Sequence, residues 1–237
     1  SREGSTELLL QLCAGYFVFY VLTGIAAKYF TGGIREPKLS QIAYLFNNTL
    51  GGNLVALVVV LAAGWIKKPG RELWYIIPSG ICTAVVIPTT TLMYTLPITV
   101  MVAMVIMRGS IIVISRMVDE LQIRQGILKK RVYAEENIAM FFAIVAVAVT
   151  IFQPAKDKFE FFQSHAAMSI LGAYLGSYAI RIYIMNYYKN TRKPGEHLDN
   201  KKFFAIEQVA ATVTMVLVTG WLINSGAAHA ASGVLPE

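Results

Sequence analysis

Seven predominantly apolar blocks, of about 18–26 residues in most cases, succeed one another along this 237-residue chain. That spacing constrains the fold more than any other feature. A helix rises 1.5 Å per residue, so ~20 apolar residues cross the ~30 Å of hydrocarbon in a bilayer. Inside lipid every backbone N–H and C=O must be bonded within the protein, which leaves helices for blocks of this length. Charged residues make up 15% of the chain and apolar residues 56%, against about 25% charged in soluble domains. The fold class that follows is all-α: a polytopic membrane helix bundle with seven transmembrane helices.

In order, the spacing predicts helices over 7–30, 41–66, 73–95, 97–118, 138–153, 167–188 and 203–224. Pro97 opens the fourth after almost no loop, since proline fits the first turn of a helix. A charged segment, 119–137, follows it, with room for a short surface helix. Pro154 ends the fifth helix, and the chain runs out in a small, weakly polar tail from Gly226 to Glu237.

The net charge of +7 does not indicate nucleic acid, because the basic residues stand between apolar blocks, where they act as topology signals. With seven crossings, the side of the N-terminus carries about 13 of them: Arg2, Lys67, Lys68, Arg71, Arg124, Lys129, Lys130, Arg131, Lys189, Arg192, Lys193, Lys201 and Lys202. The other side carries about five: Lys28, Arg35, Lys38, Lys156 and Lys158. The positive-inside rule then puts the N-terminus in the cytoplasm. Which membrane this is does not follow.

Cys13 and Cys82 lie in apolar runs and read as packing residues. His165, His197 and His229 lie in loops without ligand spacing, so no metal site is expected. No nucleophile elbow, phosphate loop or zinc motif occurs, so neither an enzyme nor a cofactor is expected.

The polar residues inside the blocks are the candidates for function. Arg108 stands near the middle of the fourth block, followed by Gly109 and Ser110. A charge at bilayer depth costs at least ~2.5–3.5 kcal/mol on insertion scales and is kept where it faces a bundle interior or a cavity. Its planar fork suits carboxylate or phosphate. The alternative is a structural arginine tied to helix carbonyls or to Glu207. Asn47, Asn48 and Asn53 gather in the second block with Gly51 and Gly52, either lining a cavity or joining helices. Thr89, Thr90, Thr91 and Tyr94 follow Pro88, which frees backbone carbonyls. Arg181 and Glu207, on the sixth and seventh helices, are placed for an ion pair; the other reading gives Glu207 a proton-coupling role. The substrate-binding candidates are therefore Arg108, Ser110, Asn47, Asn48, Thr90 and Tyr94.

A faint internal repeat relates the first two helices to the last two. Leu12-Cys-Ala-Gly15-Tyr16 echoes Ile170-Leu-Gly172-Ala-Tyr174, and Gly64-Trp65-Ile66 echoes Gly220-Trp221-Leu222. The copies are offset by about 157 residues, or five helices. An odd number of helices per repeat inverts the second copy, as in many secondary transporters. The chain then divides into residues 1–155, a first five-helix repeat, and 156–237, the first two helices of a second repeat with the tail.

Five helices to a repeat, a short connection between helices 3 and 4, and Arg108-Gly109-Ser110 together resemble the drug/metabolite transporter superfamily. The stretch Leu92 to Arg116 is similar to the helix 3–4 hairpin of its ten-helix, EamA-like and nucleotide-sugar-carrier-like branch. The resemblance spans Leu8 to Asn224 and is specific only around Arg108. It implies a secondary transporter moving a small polar organic metabolite, anionic if Arg108 holds it, by alternating access. Members have ten helices, so the sequence is either part of a longer chain or a shortened relative. The competing reading is a non-transporting structural or assembly subunit of a membrane complex on the same scaffold. The partners expected are membrane lipids, a small-molecule substrate and either a second copy or a membrane partner subunit.

Overall fold

A computed structural model describes residues 6–32, 40–66, 70–129, 133–152, 164–191 and 198–224. Seven α-helices make up the described fold, with no strand among the described residues. They are α1 (Thr6–Thr31), α2 (Gln41–Ala62), α3 (Leu73–Thr95), α4 (Val100–Arg124), α5 (Ala134–Phe152), α6 (His165–Asn190) and α7 (Asn200–Asn224). Over the described residues, six of them, all but α5, are long and apolar enough to cross a membrane, so the chain is a helical membrane bundle. α5 is the shortest, at 19 residues, and opens with Glu135 and Glu136 in its first turn. Its uncharged part from Ile138 to Phe152 rises only about 22 Å at 1.5 Å per residue.

The helix ends follow from local chemistry. Ser40, Thr99 and Ser164 are N-caps whose hydroxyls accept from the N–H groups of Ala43, Val102 and Ala167, satisfying donors that the first turn leaves free. Asp199 serves α7 likewise, accepting from the N–H of Lys202. The cap at Thr99 moves the start of α4 from Pro97 to Val100. α2 stops at Ala62, short of the expected 66, because Gly64 takes a left-handed φ of +63°, the usual way a helix is terminated. α4 instead runs past Val118 to Arg124. Glu120 and Arg124 pair at 3.0 Å one turn apart, and Gly126, at φ +72°, ends the helix. The expected surface helix in 119–137 is thus mostly the last turns of α4 and the start of α5.

α3 is the axis of the bundle. It packs most extensively on α6 and α7 and also touches α2, α1 and α4. Of its membrane-length window, 56% is buried, against 6% for α1. Gly80 makes the closest approach: a Cβ there would lie 2.5 Å from the Ala210 Cβ and 2.8 Å from the Glu207 carbonyl oxygen. Although α3 and α4 are joined by only four residues, they barely touch. Leu96 and Thr99 are extended, so the chain splays and α4 packs on α5 and α6. The ammonium of Lys28, in the last turn of α1, donates to the carbonyl of Leu96 and ties α1 to this corner.

Arg2, Arg35, Lys38, Lys67, Lys68, Lys130, Arg131, Pro154, Lys156, Lys158, Arg192, Lys193, His197, His229 and Gly226 to Glu237 lie outside the described residues.

Candidate functional site

Arg181 and Arg108 both lie inside the bundle, and their surroundings differ. Arg181, on α6, meets Glu207, on α7, in a two-pronged pair: Nε donates to Oε1 at 2.7 Å and Nη2 to Oε2 at 3.0 Å. The hydroxyls of Ser79 and Thr83, on α3, donate to the same Oε1 at 2.6 and 3.1 Å. Glu207 is almost fully buried and takes four donors from two other helices. A desolvated carboxylate is tolerable when its acceptor sites are filled in this way. At the next position of α7, the Gln208 amide donates to Asn53 Oδ1 at 2.9 Å, joining α7 to α2.

Arg108 has no carboxylate partner among the described residues. Eight residues beyond Val100, it sits about 12 Å into α4. Its guanidinium carbon lies 3.7 Å from the centre of the Tyr20 ring and 5.2 Å from that of Tyr16, both within cation–π range. Tyr16 and Tyr20 are four apart on α1 and so share a face. Tyr174 and Tyr178, four apart on α6, also lie within electrostatic reach of Arg108 and pack edge to face at 4.9 Å. Tyr94, on α3, completes the group, its ring 6.0 Å from that of Tyr20. Close approach of α1 makes this possible: a Cβ on Gly24 would collide with Val100 and lie 3.3 Å from the Tyr94 ring.

Three polar atoms in this group, Arg108 Nε, Tyr94 Oη and Tyr174 Oη, are buried with no well-formed hydrogen bond among the described residues, although the Tyr94 hydroxyl lies close to that of Tyr20. Tyr94 and Tyr174 are wholly inaccessible to solvent. Buried polar groups in proteins are overwhelmingly paired, and an unpaired one costs ~1–3 kcal/mol. Three together, one of them on a cation, form a donor-rich centre suited to an acceptor-rich ligand. The flanking tyrosine rings offer flat apolar contact as well. Tyr178 and Tyr16 are also within electrostatic reach of Arg181, so the tyrosines run between the two arginines.

The other candidates fall elsewhere. Thr90 adjoins Tyr20, but its hydroxyl donates to the Val86 carbonyl of its own helix at 2.7 Å. Thr89 and Thr91 bond back in the same way. Asn48 donates to Thr91 Oγ1 at 3.0 Å, linking α2 to α3. Asn47 is exposed and donates to Ala43 within α2. Ser110 lies about 200° round α4 from Arg108. Between them Gly109 is pressed against α5, where a Cβ would collide with Val147. Arg108, Tyr94 and the edge of Thr90 therefore come together, whereas Ser110, Asn47 and Asn48 do not join them.

Tyr16, Tyr20, Tyr174 and Tyr178 are absent from the sequence-derived candidates. A signal for them existed: membrane tyrosines concentrate at the interfaces, and these lie mid-helix in pairs at four-residue spacing. Ser79 and Thr83, one face of α3 opposite Glu207, carry no comparable mark.

No family model matches the chain, and neither a curated protein nor a solved structure matches it.

Proposed function

We propose that this is a secondary-transporter-like protein that binds a small polar organic metabolite bearing a carboxylate or phosphate at Arg108 and moves it by alternating access. The observation that carries this reading is the set of buried donors without a well-formed hydrogen bond, Arg108 Nε, Tyr94 Oη and Tyr174 Oη, held by three different helices. A structural arginine would be expected to have its Nε bonded, as that of Arg181 is to Glu207. Helices α1, α3, α4 and α6 supply the centre, so relative motion of α1 and α4 against α3 and α6 would open and close it.

The architecture proposed is seven spans, with the N-terminus cytoplasmic and α6–α7 an inverted copy of α1–α2, on the plan of the drug/metabolite transporter superfamily. Support for the repeat comes from the contact of Asn53 with Gln208. Two helices related by a two-fold cross at equivalent positions. These residues are 155 apart, close to the offset of about 157 between the copies.

A second reading, a non-transporting subunit, draws on α1. That helix buries only Gly24 and Ala27, as an element awaiting a partner would.

The test is thermal stabilisation of the purified protein by a panel of small carboxylates and organic phosphates, followed by uptake of any hit into proteoliposomes. Transport readings expect a hit whose shift and uptake are lost in Arg108→Gln while the fold is kept. A hit bound equally by Arg108→Gln refutes the assigned centre. Specific binding without uptake favours the subunit.

A further inference from the structure

On the outer face of the bundle, α3 and α7 leave an apolar groove of about 390 Å³. Its walls are stripes at helical spacing: Leu73, Ile77 and Ile81 on α3, and Ile206, Val209 and Val213 on α7. From position 73 to 81 the groove runs about 12 Å along the helix axis. Both helices are of membrane-spanning length and hydropathy, so the groove lies within the hydrocarbon layer. It begins at the end where α2 connects to α3 and α6 to α7.

That end is cationic and aromatic. Arg71 and Lys201 are exposed there. Lys202 bridges α7 to Glu72 at 3.2 Å and reaches to within 3.8 Å of a Cβ placed on Gly70. Trp74, one residue beyond Leu73, is 84% exposed, the position of an interfacial anchor. Basic residues at headgroup depth above a slot between transmembrane helices are the elements of an anionic-lipid site.

We infer that the α3–α7 groove holds an acyl chain of an anionic phospholipid whose phosphate is bound by Arg71 and Lys201. The apolar walls require a hydrocarbon occupant. The three basic residues at the mouth exceed the adjacent acids Glu72 and Asp199 and select the headgroup charge. This inference is independent of the Arg108 centre.

The experiment is native mass spectrometry of the purified chain titrated with phosphatidylglycerol or phosphatidylcholine of identical chains. The expected result is retained phosphatidylglycerol adducts that outnumber phosphatidylcholine adducts. Val213→Trp fills the slot from an exposed position and should abolish the preference. Arg71→Gln should weaken phosphatidylglycerol binding about fivefold, the effect of one basic residue at a headgroup. Retained thermal stability shows that each variant folds; should Val213→Trp fail this control, Ile81→Phe, also at an exposed wall position, replaces it. Equal binding of the two lipids, or a preference unchanged by both substitutions, overturns the assignment.

Discussion

Arg181 and Arg108 are the same side chain in the same bundle, and they show two ways of keeping a cation at membrane depth. Around Arg181 the structure is closed: a carboxylate takes both prongs of the guanidinium, and two hydroxyls fill the carboxylate. Around Arg108 it is open, with tyrosine faces in place of a counter-charge and three polar atoms without a well-formed hydrogen bond. A ring face compensates a cation by ~0.5–2 kcal/mol, less than a desolvated ion pair. The difference teaches that buried charges are not alike: one can be consumed within the fold while another keeps hydrogen-bonding capacity to offer.

The contrast can be broken most directly at the closed site. Glu207→Ala leaves Arg181 buried without its partner and should cost about 3–5 kcal/mol, read as a lower midpoint in denaturant unfolding of the detergent-solubilised protein. The double variant Arg181→Met with Glu207→Leu should recover most of that loss, because an apolar pair of similar volume restores the packing. Equal losses in single and double variants would mean that the pair itself is not what holds α6 to α7.

Next in size is the helix contact behind the pair. Gly80→Val puts branched carbon against Ala210 and the Glu207 carbonyl, and should cost about 1–3 kcal/mol by overpacking. Gly176→Val, where nothing lies within 4 Å of a Cβ, should cost far less; comparable losses would remove the close approach of α3 to α7 as the cause.

At the open site the order reverses, with small stability effects and large ligand effects. Arg108→Gln should lower unfolding free energy by at most about 2 kcal/mol, ring contacts rather than an ion pair being lost, while weakening an anionic ligand at least tenfold. A destabilisation as large as that of Glu207→Ala would make Arg108 structural. Smallest of all, Tyr94→Phe removes a buried hydroxyl without a well-formed hydrogen bond and should be neutral or slightly stabilising without ligand. Thermal melts of the Phe variant with and without a bound anion separate the two: the ligand-induced shift should shrink although the apo protein is no weaker.

Much of this fold was legible before any coordinates. Seven apolar blocks became seven helices, and α3 has the bounds 73–95 read for it, because hydropathy and length are local properties that a bilayer reads one segment at a time. The ends moved where a single residue decided them: Thr99 as a cap, and Gly64 and Gly126 as left-handed terminators. The crossing of α5 is the weaker reading, since its uncharged stretch from Ile138 to Phe152 rises only about 22 Å against ~30 Å of hydrocarbon.

The site was legible only in part. Arg108 stands out in a sequence because a charge among apolar residues is visible one position at a time, and Arg181 with Glu207 for the same reason. What surrounds them is a matter of helix rotation and crossing. Asn47 and Asn48 are neighbours in the chain, yet one faces outward and the other bonds α3, since successive residues point about 100° apart. Ser110, two positions from Arg108, is turned away by that rule. The tyrosines of α1, α3 and α6 reach Arg108 from 14 to 92 residues away, and no local pattern specifies such distances. By itself the sequence determined that the chain is a helical membrane bundle with charge kept inside it. Only the tertiary structure decided which charge is neutralised and which is left with donors to offer, because that depends on which faces of separate helices meet.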